Sequence, residues 1–320
     1  MTIKDIAKLA GVSHTTVSRV INNSSRVAPA TKQRILDVIQ EKGFVPNQAA
    51  QTMISGRSYE LGLLVQYDIS TFPMEFFSTI LEGIVSEIQR YGYTLSVLFK
   101  GANNRKVINR LDGIFILGIN QKETKISKTD MPVIFINQEG PSPDIGHVVA
   151  DDEGGAYQIV SHLIERGHTH ICFLNGRSAV ESGQTRKRGY LKALREHRIE
   201  FDPEYEIFGD FEYYKAYEQT KTKLAQRPEI TAIFSSTDLM ALGAIKAIGE
   251  LGLKIPSDIA VAGFDNQVFS EYTYPSLTTV SKPRRLMGAV AGKRMIDILN
   301  GKEISGGVIL PTELIIRDST

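Results

Sequence analysis

Residues 2–50 read TIKDIAKLAGVSHTTVSRVINNSSRVAPATKQRILDVIQEKGFVPNQAA, and this stretch decides how the rest of the chain is read. Thr2 and Asp5 are spaced as a capping box that opens a first helix, with Ile6, Leu9 and Ala10 as its expected apolar face. Gly11 supplies a break, and Ser13 is placed to cap a second helix running from His14 to about Asn22. In that helix Val17, Val20 and Ile21 fall on one side, while Thr15, Ser18, Arg19 and Asn22 line the other. A short polar face ending in a cation suits a helix laid in a DNA major groove. A third helix, from about Ala30 to Glu41, should bury Ile35, Val38 and Ile39 and stop at Gly43. The pattern is a helix-turn-helix with its supporting helix, although spacing alone does not distinguish it from other three-helix units.

Charge supports the DNA reading. Residues 1–58 hold eight Lys/Arg against three Asp/Glu, a net charge of +5, whereas the whole chain is only +1. The asymmetry between segments, not the total, points to nucleic acid. A length of 320 residues accommodates a small domain and a larger two-lobed one, and 42% hydrophobic with 23% charged residues is ordinary for a globular protein. The single cysteine, Cys172, excludes an internal disulfide and reads as a small apolar residue of a strand. No early apolar stretch resembles a signal peptide, and no run approaches the ~20 residues of a membrane span, so a cytoplasmic location is expected.

After Tyr59 the period changes. Strand runs such as LGLLVQY, TLSVLF, LDGIFILG, PVIFIN, HICFLNG, YEIFG, AIFSS and DIAVAGFDN alternate with amphipathic helices, among them MEFFSTILEGIVSEIQRYG, GGAYQIVSHLIERG and ALGAIKAIGELG. Such alternation implies parallel sheets with helices on both faces, and ligands in these folds bind outside the carboxyl ends of the strands. Between the two parts, Pro46, Asn47 as a cap, Gln48 to about Ile54 and Gly56 allow either a short helix or a plain linker. A helix that short is marginal alone in water.

The residues 2–50 quoted above resemble, almost position for position, the DNA-binding domain of the lactose/galactose repressor family of bacterial transcription regulators. The resemblance continues through HLIERGHTHICFLNG, STDLMALGAIKAIGELGLKIPSDIAVAGFDN and YPSLTTV to the terminal IIRDST, and so covers essentially the whole chain. It implies an all-α helix-turn-helix head with hinge helix over 1–58 (the hinge about 47–55). Beyond it, over 59–320, it implies an α/β two-lobed effector-binding and dimerisation domain like the periplasmic sugar-binding proteins, with three chain crossings between the lobes. The segment between SVLFKGANN and RLDGIF is short for the family, which suggests one trimmed helix.

Carried over residue by residue, the resemblance makes His14, Thr15 and Arg19 base-reading positions. Arg19 can donate two hydrogen bonds to guanine, and Thr15 can bond a base or present a methyl to thymine. Thr2, Ser13, Thr16, Ser18 and Asn22 are expected on phosphates, and Asn47, Ala50 and Met53 in the hinge, with Met53 standing where the family inserts a Leu wedge into the minor groove. Gln51 stands where many members carry Arg. For the effector, Asp68, Asn137, Arg186, Asp238 and Asp265 sit at strand or helix ends where a polyhydroxylated ligand needs hydrogen-bond partners, and Phe211 offers an aromatic face. Phe72, Phe76 and Phe77 are ambiguous: the FF pair at 76–77 matches a family loop motif, but most such aromatics are simply core. Thr237 replaces the family's usual Asn, and Asp151 and Asp152 read as helix caps or interface residues, not ligands.

The expected function is a sequence-specific, DNA-binding transcription repressor of carbohydrate-utilisation genes. Its partners are a pseudo-palindromic double-stranded operator, a small sugar (an oligosaccharide or galactoside) in the cleft and a second copy of the chain. A dimer is expected because no heptad tail follows IIRDST. No cofactor, metal or membrane partner is expected, since His168 and His170 have no further ligand nearby in sequence. Four alternatives remain at this level: a purine-corepressed regulator, a regulator controlled by a phosphocarrier protein, a sugar-binding transport protein, and a glycosidase using Asp238 and Asp265 as an acid/base pair. The last lacks any other catalytic signature.

Overall fold

The computed structural model describes residues 1–21, 26–43, 57–66, 74–100, 104–118, 131–140, 142, 145–176 and 181–320. The expected hinge helix and the candidate residues Asn22, Asn47, Ala50, Gln51, Met53, Asp68 and Phe72 lie outside the described residues. The chain divides into two compact units, Met1–Tyr59 and Glu60–Thr320.

The first unit is built from α1 (Ile3–Leu9), α2 (His14–Ile21) and α3 (Pro29–Glu41). Thr2 and Asp5 close a reciprocal capping box, the Thr2 N–H donating to Asp5 Oδ2 at 2.8 Å and the Asp5 N–H to Thr2 Oγ1 at 3.4 Å. Gly11, at φ 63, makes the turn to α2 in a region that side-chain-bearing residues avoid. Ile6, Ala7, Ala10, Val17, Val20 and Ile35 form the buried core, with Val38 and Ile39 packed against it. Leu9 is a correction, being 53% exposed while Ala7 is buried. The true stripe of α1 is 3, 6, 7 and 10, and at 100° per residue position 9 points well away from it.

The second unit holds two parallel sheets. The first takes β1 (Glu60–Val65), β2 (Thr94–Phe99), β3 (Gly113–Leu117), β4 (Val133–Ile136), β5 (Gly146–Ala150) and β11 (Gly307–Leu310) in the order β11-β5-β4-β3-β1-β2. Helix α4 (Met74–Ile88) packs against it, and of the segment expected to be trimmed a single turn, α5 (Arg105–Ile108), is helical. The second sheet orders β6 (Ile171–Asn175), β7 (Glu206–Phe208), β8 (Ala232–Ser235) and β9 (Ala260–Ala262) as β7-β6-β8-β9. Its helices are α6 (Asp152–Glu165), α7 (Glu181–Glu196), α8 (Tyr213–Gln226) and α9 (Asp238–Glu250). One core lies on each face, with Phe173, Tyr190 and Phe234 stacked on one side and the buried Cys172 on the other.

The chain crosses between the lobes after β5, after β10 (Thr279–Ser281), which leads into α10 (Arg284–Leu299), and after β11, which leads into β12 (Glu313–Ile315). Strands β10 and β12 pair antiparallel, beside the last crossing. Helix α10 lies on α4 at backbone contact: a methyl placed on Gly83 would fall 2.1 Å from the Arg285 carbonyl oxygen, and one on Gly288 2.1 Å from that of Ile80. These two glycines are what let the helices meet, and the contact fixes where Glu75 and Arg284 begin their helices.

Candidate effector cleft and DNA-reading face

The carboxyl ends of strands from both lobes deliver polar groups to one crevice. From the first lobe, β4 is followed by Asn137, held at φ 62, and the first turn of α4 carries Glu75 and Phe76. From the second, β9 runs through Phe264 into Asp265 at φ 107 and Asn266 at φ 48. Two consecutive non-glycine residues at positive φ are strained, and the surrounding hydrogen bonds hold them there. The Asp265 N–H donates to the Val280 carbonyl at 2.9 Å, that of Asn266 to Thr279 Oγ1 at 3.2 Å, and that of Gln267 to Asp238 Oδ2 at 2.7 Å.

At the centre is a buried set of opposite charges. Arg186, from α7, donates to Asp152 Oδ2 through Nε at 3.1 Å and Nη2 at 2.9 Å, and also donates to the Ser236 carbonyl. Its guanidinium lies 4.0 Å over the Phe264 ring and 3.6 Å from the Asp265 carboxylate. Lys282, on the second crossing, reaches Asp152 Oδ1 at 3.0 Å and donates to Asn137 Oδ1 at 2.8 Å, tying the lobes together. Burial alone would raise the Asp152 pKa, but Arg186 and Lys282 outweigh it and hold the carboxyl below its ordinary value. Burial dominates for Asp265, whose pKa is raised, and for Lys282, whose pKa is lowered. A hollow of about 270 Å³ opens beside Asn137 and Asp152 and runs outward over Gln138, Ser182 and Thr185.

The sequence-derived candidates divide accordingly. Asn137, Arg186 and Asp265 come together. Asp238 is fully buried and has both oxygens engaged by the chain, accepting from the Gln267 N–H and, at 2.6 Å, from the Thr279 hydroxyl. It positions the Asp265 loop. Burial and then the Asp265 charge push its pKa up to about 8. Thr237 caps α9, its hydroxyl accepting from the Met240 N–H at 3.2 Å. Phe211, at φ 64, lays its ring over Gly176 at the end of β6, where an added methyl would meet Cζ at 1.9 Å. Phe77 is buried on α4, and it is the ring of its neighbour Phe76 that Lys282 approaches, at 5.8 Å.

Asp152 is the second correction. Asp151 caps α6, accepting from the Gly154 N–H at 2.8 Å, but Asp152 turns inward to meet two cations. Glu75, Lys282 and Arg284 were not singled out from the sequence at all. The signal available was the run SKPRR at 281–285, with three cations directly after a strand.

On the first unit, His14, Thr15 and Arg19 of α2 are exposed, while Thr16 and Ser18 are half-buried at the helix flank. Ser13 caps this helix by accepting from the Thr16 N–H at 3.1 Å, and its hydroxyl lies 2.8 Å from Thr16 Oγ1. The face offers an unobstructed guanidinium, a hydroxyl and an imidazole at helical spacing.

Residues 2–47 match the family described as bacterial regulatory proteins, lacI family, and residues 160–320 match the periplasmic binding protein-like domain. The chain is 32% identical to the probable HTH-type transcriptional repressor ExuR of Bacillus subtilis (strain 168), over 100% of this chain and 98% of the relative. The chain belongs to the LacI family. A solved Lac repressor dimer bound to operator and the anti-inducer ONPF superimposes with a TM-score of 0.82 at 28% identity, covering 100% of this chain and 98% of that one. A transcriptional regulator CelR–cellobiose complex gives 0.76 at 28% identity, covering 100% of both. As a LacI-family member the protein is a DNA-binding transcription regulator with a helix-turn-helix head and a two-lobed effector unit. Among the described residues no group of three or more His, Cys, Asp and Glu could hold a metal ion, and no helix is long and apolar enough to cross a membrane. His168 instead meets Thr231 Oγ1 at 3.0 Å, and His170 packs edge-on to Tyr205.

Proposed function

We propose that the protein is a cytoplasmic, homodimeric repressor of carbohydrate-utilisation genes, switched by a small sugar in the interlobe crevice. Each subunit places α2 in one half-site of a pseudo-palindromic operator, with Arg19, Thr15 and His14 reading bases and Thr2, Ser13, Thr16 and Ser18 on phosphates. The hinge carries Met53 as the apolar wedge of the minor groove, flanked by Asn47 and Ala50. Sugar binding changes DNA affinity only by the difference in its affinity for the two lobe arrangements.

The observation that carries this reading is the junction of Asn137 and Asp152 with Lys282 at the strand ends of both lobes, beside Arg186 and Asp265. Phe211, over Gly176 at the end of β6, is the aromatic face assigned to the sugar. Carboxylates and amides accept hydroxyl hydrogen bonds, guanidinium donates them in pairs, and an aromatic face covers the apolar side of a pyranose. The glycosidase alternative loses its acid/base pair, because both Asp238 oxygens are already engaged by the chain.

The test is operator affinity measured with and without a panel of mono- and oligosaccharides. A shift of about ten-fold, roughly 1.4 kcal/mol of coupling, from one sugar supports the reading, and its direction says whether the sugar induces or corepresses. Operator binding that no sugar changes would move the assignment to a purine or a phosphocarrier protein.

A further inference from the structure

Arg284 opens α10 with its side chain only 9% exposed. Its Nη2 donates to Glu75 Oε1 at 3.3 Å and to the Asn266 carbonyl at 3.1 Å, while Nη1 is buried with no hydrogen-bond partner. Glu75 comes from the opposite lobe, and its carboxylate also accepts from the Val268 N–H, at 3.1 Å to Oε2 and 3.3 Å to Oε1. The second lobe and the crossing segment thus present a receptor already shaped for a carboxylate: a guanidinium edge plus a backbone N–H. Its present occupant is loosely held, because the contacts are long and Glu75 is 32% exposed.

Two residues earlier Lys282 is buried to 1% exposure, so Arg186, Lys282 and Arg284 set three cations in one crevice, opposed by Asp152, Asp265 and Glu75. Among the described residues a further carboxyl, Asp238, adds little negative charge near neutral pH because its pKa is pushed up to about 8. A neutral sugar that displaced Glu75 would leave a buried guanidinium without a counter-charge. One that left Glu75 in place offers Nη1 only a neutral hydroxyl oxygen, a weaker acceptor than a carboxylate. The first case costs free energy outright. A ligand carrying its own carboxylate replaces Glu75 charge for charge and fills Nη1 as the second donor of a planar fork.

We infer that the effector is an acidic sugar, a uronic or aldonic acid, whose carboxylate is taken by Arg284 and the Val268 N–H in place of Glu75. This rests on the reading of the crevice as a sugar site. It makes Glu75 a built-in competitor: the ligand acid must expel it, and expelling it breaks the Glu75–Arg284 and Glu75–Val268 contacts between the lobes.

The experiment is calorimetric titration of the full chain with matched pairs, galactose against galacturonate and glucose against glucuronate, with galactose 6-phosphate as a third arm. The acid should bind about ten-fold or more tighter than its parent sugar. Arg284→Met should abolish that difference. Glu75→Gln should widen it, because the acid no longer has to expel a charged competitor, and this arm decides if Arg284→Met does not fold by circular dichroism. A parent sugar that binds as tightly as its acid overturns the acidic assignment and leaves the sugar reading standing. Preference for the phosphate overturns the carboxylate. Binding of none of the five overturns the acidic assignment, and the oligosaccharide panel then decides the sugar reading separately.

Discussion

The Asp152 carboxylate and the Arg186 guanidinium meet at 2.9 Å with side chains 8% and 4% exposed, and Lys282 closes on the same carboxylate from the other side. One anion therefore neutralises parts of two buried cations. Breaking a buried pair by deleting one partner costs about 3–5 kcal/mol, because the charge left behind has neither water nor a counter-ion. Asp152→Ala is expected to lower the melting temperature of the second unit by roughly 10 °C. The pH sign also follows: Asp152 has a depressed pKa, so its contribution is present above the ordinary carboxylate value and is lost as pH falls through the depressed one. The gap between wild type and variant should narrow in acid, and a gap independent of pH would mean the pair is not ionised as described.

Asp238 has the opposite sign. Its pKa is raised from 3.8 to about 8, so the folded state holds a proton that the unfolded chain releases within that window. The stability it contributes is fully present below the unfolded value and lost as pH rises through the folded one. Asp238→Asn mimics the neutral acid, with an amide oxygen for the Gln267 N–H and an amide N–H toward Thr279. Urea midpoints for wild type should fall between about pH 5 and 8, while those of the variant stay flatter. Parallel curves for the two proteins would sink this account.

How much of this was legible beforehand depended on the range of the signal. The helix-turn-helix was readable because its caps and apolar stripe repeat within a few residues, and Asn137 and Asp265 because strand ends are recognisable. Helix α10 is hard to read from sequence, since Gly288, Ala291 and Gly292 at the middle of its buried stripe weaken the apolar period carried by Met287, Met295 and Ile296. Its glycines matter because α4 lies against them, which no local window reveals. Lys282 was equally hidden, its partners Asn137 and Asp152 lying 145 and 130 residues away. Asp152 was mistaken for a cap because its neighbour Asp151 is one.

Gly176 and Phe211 give a test of the aromatic platform. A methyl at position 176 meets the far edge of the Phe211 ring, which packs against the core on that face of the second sheet, so Gly176→Ala should push the ring aside and lower the melting temperature modestly. It should weaken effector affinity by displacing the ring that covers the sugar, a loss of roughly 0.5–1.5 kcal/mol if stacking is removed. Unaltered effector affinity, with the ring moved, would take Phe211 out of the site.

Arg19 carries the prediction for the head. It is exposed near the end of α2, and Val17 and Val20 on the opposite face anchor the helix in the core, so its removal should not disturb the fold. A bidentate contact to guanine is worth about 1–3 kcal/mol of discrimination. Arg19→Ala should weaken specific operator binding by that amount and relax preference at one base pair in each half-site. Non-specific binding to unrelated duplex should fall much less, with the salt dependence lowered by about one phosphate equivalent at most. Equal losses on operator and unrelated DNA would reassign Arg19 from base reading to backbone contact, and Thr15 and His14 would then have to carry the specificity of the helix.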